Sequence, residues 1–137
     1  MKGRTLFVRL AVVVLAISGF VITAAAQTQT ASEFYMAYRA AFTKAKTIDD
    51  LSSYMSKEMR AKVDETPAAE RPKMFEFIKQ MSTAMTNVKV IKETKTDDGV
   101  TLTVEAMDGK EKMTGQIQIL RESGAWKVGR ESWSNKS

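Results

Sequence analysis

Apolar residues are distributed along this chain in distinct regimes. They run almost unbroken from Leu10 to Ile22, recur every three to four positions from Phe34 to Met85, and alternate with polar residues from Val88 to Trp133. These periods predict an apolar leader, then amphipathic helices, then strands. Phe34, Ala37, Tyr38, Ala41, Phe42 and Ala45 share one face and predict a first helix over 33–46, with Ser32 as its N-cap. Thr47 and Asp50 stand at capping-box spacing, with Asp in place of Glu, ahead of a short second helix whose apolar face is Leu51, Tyr54 and Met55. Residues 56–63 read as a further helical piece, with Met59 and Val63 four apart. A connection then carries Pro67, and Pro72 follows. Either Thr66-Pro67 opens the next helix and Pro72 kinks it, or that helix begins at Pro72. In both cases Met74, Phe75, Ile78, Met81 and Met85 form its apolar stripe over 72–85.

After Asn87 the period becomes two. Strands are predicted over about 88–96, 100–107, 112–121 and 125–133, separated by Asp97-Asp98-Gly99, Asp108-Gly109-Lys110 and Glu122-Ser123-Gly124. Each gap is short and holds a glycine, as hairpins need where a turn residue takes positive φ. The expected fold is therefore α+β: N-terminal helices packed on a curved four-stranded antiparallel meander. One sheet face is apolar and the other rich in Thr, Gln, Lys and Glu. A single domain over 32–133 is flanked by a polar leader at 27–31 and a polar tail at 134–137.

The N-terminal stretch changes the picture of where the domain works. A basic start (Lys2, Arg4, Arg9), an apolar run from Leu10 to Ile22 and the small residues Ala24-Ala25-Ala26 are the parts of a secretory signal peptide. Cleavage is expected after Ala26. The rival is an uncleaved anchor over Leu6 to Ala26, but the apolar core is short of the roughly 20 residues a bilayer span needs. The expected location is periplasmic or secreted, with no membrane association after cleavage.

Charge excludes some partners. Three of the 21 basic residues fall in the leader, leaving 18 against 16 acidic residues, and the signs are interspersed. That balance suits solubility and argues against nucleic acid as a partner. The chain has no Cys and no His. Disulfides, the usual structural zinc sites and Ser-His-Asp or Cys-His nucleophiles are thereby excluded. No cofactor and no metal is expected.

The opening helix Phe34-Tyr35-Met36-Ala37-Tyr38-Arg39-Ala40-Ala41-Phe42, the stretch Ile48-Asp49-Asp50-Leu51-Ser52-Ser53-Tyr54-Met55-Ser56 with Lys57-Glu58-Met59-Arg60 after it, and the ending Arg121-Glu122-Ser123-Gly124-Ala125-Trp126-Lys127-Val128 together resemble the nuclear transport factor two–like superfamily. The nearest branch is its small exported bacterial members of unknown function. The resemblance implies a cone-like roll, in which a bent sheet wraps the first and third helices around a pocket. Enzymes of the superfamily commonly place Asp, His or Tyr there. Without His, the common Asp-His arrangement does not carry over, and fold alone does not fix function.

Two chemistries compete with plain packing. Tyr35, Tyr38 and Tyr54 with Asp49 or Asp50 imitate an isomerase pocket, in which a phenol stabilises an enolate and a carboxylate moves a proton. Asp49 and Asp50 stand at a helix start, which stabilises their charge, so capping is the favoured role. The methionine pairs Met55/Met59 and Met81/Met85 offer soft ligands suited to Cu(I), but adaptable apolar packing is favoured. Between these lies a pliable apolar pocket for a small apolar molecule, with Tyr38, Phe42, Ile78, Met81 and Trp126 as its expected lining. A closed core is the alternative. If strand four alternates regularly, Trp133 lies on the face opposite Trp126 and Val128. It is then either a partner surface, for instance of a homodimer, or a cover for the sheet edge. The leading function is a non-enzymatic exported binding module. An isomerase-like enzyme and a ligand-free accessory domain are the rivals.

Overall fold

The computed structural model describes residues 29–135. The signal peptide expected over 1–26 and the last two residues of the tail lie outside the described residues. Among the described residues, four helices precede a sheet: α1 (Ala31–Lys44), a 3-10 helix (Ile48–Tyr54), α2 (Lys57–Glu65) and α3 (Arg71–Ala84). Four strands follow, β1 (Met85–Thr96), β2 (Gly99–Asp108), β3 (Glu111–Glu122) and β4 (Ala125–Asn135), antiparallel in the order β1-β2-β3-β4. This is the expected α+β class, with helices on one face of an open meander.

α1 begins earlier than its stripe predicts. The side chain of Thr30, not Ser32, accepts from the Glu33 N–H at 3.1 Å, and Ala31 is buried. Part of the expected polar leader is thus helix. Ser32 instead bonds to Glu93 on β1. The buried face of α1 is aromatic: Phe34, Tyr35, Tyr38 and Phe42 pack against the sheet. In the 3-10 helix the Asp50 carboxylate accepts from the backbone N–H groups of Lys46 and Thr47 at 2.9 and 3.1 Å. These bonds hold its pKa below the usual carboxylate value. Ser56 caps α2, accepting from Met59 N–H at 3.1 Å. Arg71 satisfies the far end of α2 through the carbonyls of Thr66 and Asp64, at 3.0 and 3.2 Å. Of the two starts open to α3, the one near Pro72 is realised, with that proline in the first turn.

The core is the inner sheet face under α1. Val100, Leu102, Val104 and Ala106 of β2 and Ile117 and Ile119 of β3 are buried, while the intervening Thr, Glu and Gln residues face outward. Burying one such aliphatic side chain stabilises by about 1.5–3 kcal/mol. α3 contributes only Phe75 to the fully buried set, stacked on Phe42 with ring centroids 6.1 Å apart. Ile78 and Met81, on the expected apolar stripe, are open to solvent at 37% and 52%.

Strands run slightly beyond their predicted ends. Ser134 and Asn135, expected as loose tail, pair with Thr114 and Met113, and the Asn135 side chain donates to Glu111 at 2.6 Å. The β3–β4 turn is Ser123-Gly124, both at positive φ (51° and 79°), the hairpin geometry that matches strand twist. β1 leaves α3 without a loop and is irregular: its register with β2 shifts between Thr86 and Lys89, where Asn87 has φ 52°, and again between Val90 and Lys92.

The irregularity in β4 matters most. Ile119 pairs with Val128 but Gln118 pairs with Arg130, so Gly129 is an extra residue. One inserted residue reverses the side-chain alternation downstream. Trp126 and Val128 face inward before the bulge. Glu131 and Trp133, opposite Ile117 and Gly115, face inward after it. Trp133 is therefore not on the outer sheet face, as regular alternation predicts.

Candidate functional site

Beside the bulge, β4 and the helices enclose a cleft of about 360 Å³. This is the size of a small-molecule site. α1 supplies Tyr38, Arg39 and Phe42 to its wall. The 3-10 helix and the residue after it add Ile48 and Met55, and α2 adds Met59, Lys62 and Val63. α3 contributes Ile78, Met81 and Ser82, and Met85 follows at the start of β1. Gly129, Arg130, Glu131 and Trp133 of β4 close the circuit. The connector is pinned to this strand by the Ser56 N–H donating to the Val128 carbonyl at 3.0 Å, next to the bulge.

A short polar chain crosses one end of the cleft. The Tyr35 hydroxyl donates to Glu131 Oε1 at 2.8 Å, and Trp133 Nε1 donates to the same oxygen at 2.9 Å. Arg39 reaches the Tyr35 hydroxyl at 3.4 Å and the Ser82 carbonyl at 3.1 Å, tying α1 to the end of α3. Burial pushes both the Tyr35 and Tyr38 phenols up, and the Glu131 charge adds to this, so both are neutral at physiological pH. The Trp133 ring lies over Gly115, where an added Cβ would stand 2.9 Å from the ring. Glycine here lets the indole reach the cleft.

Of the residues expected to line a pocket, Tyr38, Phe42, Ile78 and Met81 surround this cleft and Trp126 does not. Trp126 precedes the bulge at the other end of β4. It stacks on Arg121, 4.3 Å from guanidinium to ring centroid, and donates to the Gln29 carbonyl at 2.8 Å. Trp133, expected as a partner surface, takes the place in the lining foreseen for Trp126. Both methionine pairs, Met55/Met59 and Met81/Met85, meet in the same cleft. The isomerase pairing is not assembled. Asp49 and Asp50 are absent from the cleft wall, and Tyr54 packs on Phe34 and Tyr38.

Periodicity gave no sign of Arg39 and Glu131. Arg39 lies among the aromatics of α1, and Glu131 becomes inward-facing only through the bulge. The available signal was Gly129 itself, since a glycine inside a strand marks a bulge or a close approach. Among the described residues, no acidic cluster could hold a metal ion, and no helix is long and apolar enough to cross a membrane.

No curated protein and no solved structure matches the chain. A family model matches residues 25–129, which take in the four described helices and the sheet as far as the Gly129 bulge. The chain belongs to the family described as Domain of unknown function (DUF4878).

Proposed function

We propose that this protein is an exported, non-catalytic binding module of nuclear transport factor two–like build, whose cleft takes a small apolar molecule. The observation that carries the reading is the open cleft of about 360 Å³, walled by four methionines, Phe42 and Ile78 and faced by Trp133. Methionine thioethers adapt to ligand shape. The exposure of Ile78 and Met81 leaves apolar surface that a ligand would cover. The order of helices before a four-stranded antiparallel meander supports the superfamily reading. The basic, apolar and small-residue sections of 1–26 support export. The carboxylates of the isomerase reading, Asp49 and Asp50, stand outside the cleft wall, which favours binding over catalysis.

The test is native mass spectrometry of the envelope fraction from a two-membrane bacterium expressing the full chain. The expected result is a mass beginning at Gln27 with a reproducible small-molecule adduct, lost when Val63→Phe fills the cleft. A mass retaining Met1 contradicts export with cleavage. An apo mass in every preparation contradicts the binding reading.

A further inference from the structure

We propose that the cleft binds a single-chain anionic amphiphile, its tail among the methionines and its head at the mouth formed by Lys62 and Arg130. This rests on the binding reading above and adds the ligand's class. Lys62 Nζ and Arg130 Nη2 approach the same oxygen of Glu58, at 3.7 and 3.5 Å. Two cations thus share one carboxylate, which leaves positive charge in excess. Both side chains are exposed, at 64% and 69%, so they can turn toward a head group that stays at the water boundary.

Deeper in the cleft the charges offset. Arg39 and Glu131 are bridged by the Tyr35 hydroxyl. An anionic head carried inward would meet Glu131. A cationic head would first pass Lys62 and Arg130. The arrangement therefore selects both the sign of the head and its direction, with the head outward and the tail inward. An uncharged apolar molecule would leave the cationic mouth unused. An acyl carboxylate and a lysophospholipid share the required chemistry.

Calorimetric titration of the purified, delipidated protein tests this, with dodecanoate, dodecanol, dodecylammonium and 1-lauroyl lysophosphatidylglycerol below their micellar concentrations. At low salt, dodecanoate or the lysolipid should bind about tenfold tighter than dodecanol, the scale expected of two exposed charge contacts. The advantage should shrink in high salt. The Lys62→Gln/Arg130→Gln variant should bind all probes as the parent binds dodecanol, with an unchanged circular dichroism spectrum. The tighter of the two anionic probes identifies the source. Dodecanol matching both anions, or dodecylammonium binding tightest, overturns the head-group assignment and leaves the pocket reading standing. Binding of none of the four overturns both.

Discussion

Few side chains set the geometry of the cleft, and each can be tested alone. Gly115 makes room for Trp133, and Gly115→Ala would drive a Cβ to within 2.9 Å of the indole. The expected cost is about 1–3 kcal/mol in urea unfolding, with a shift in tryptophan emission as the ring moves. Glu131 accepts from two donors, one of them on the fully buried Tyr35. Glu131→Ala leaves the Tyr35 hydroxyl and the indole N–H without this acceptor and should cost about 1–3 kcal/mol. Glu131→Gln keeps an acceptor and should cost less. The buried phenols set an alkaline limit. Their folded pKa values lie above the ordinary value near 10. The folded state thus holds its protons more tightly. This contribution is complete below pH 10 and is lost as pH rises beyond it. Unfolding midpoints should fall between pH 9 and 11, and Tyr38→Phe should flatten that fall. An unchanged slope in Tyr38→Phe would contradict the burial argument. Asp50 acts at the acid end. Its lowered pKa contributes above the ordinary carboxylate value and is lost as pH falls, so Asp50→Asn should weaken the acid dependence.

Among the elements, α3 buries one side chain fully. Phe75 is buried on Phe42, whereas Phe77, two positions on, is 63% exposed. Phe75→Ala should cost about 3–5 kcal/mol, and Phe77→Ala within about 0.5 kcal/mol of nothing, by denaturant titration. Equal costs would mean that α3 docks differently. Period and turn residues made the meander legible, because Ser123-Gly124 and its counterparts punctuate an alternation that the sheet core obeys. Capping chemistry was partly legible: Asp50 meets the backbone as its spacing implies, while Thr30 displaces Ser32. Two features lay beyond any periodic reading. The apolar stripe of α3 says that Ile78 and Met81 face inward, not whether a neighbour covers them. The Gly129 bulge moves the second half of β4 by one residue, which turns Trp133 into the cleft wall. Four of five expected lining residues meet because they lie on helices, where the period holds. The fifth lies on the strand whose period breaks.

For the whole molecule, the bulged strand, the aromatic α1 and α3 together leave a largely apolar volume that the protein's own side chains do not fill. The central claim is that a ligand enters it. Trp133 borders the cleft and Trp126 stands at the far end of the same strand, so Trp126→Phe leaves an emitter that reports on the cleft. The deciding measurement is fluorescence quenching of the Trp126→Phe protein by a bromine-substituted dodecanoate. Saturable quenching that Val63→Phe abolishes is the predicted result. Quenching that rises linearly without saturation, or that Val63→Phe leaves unchanged, would contradict the account.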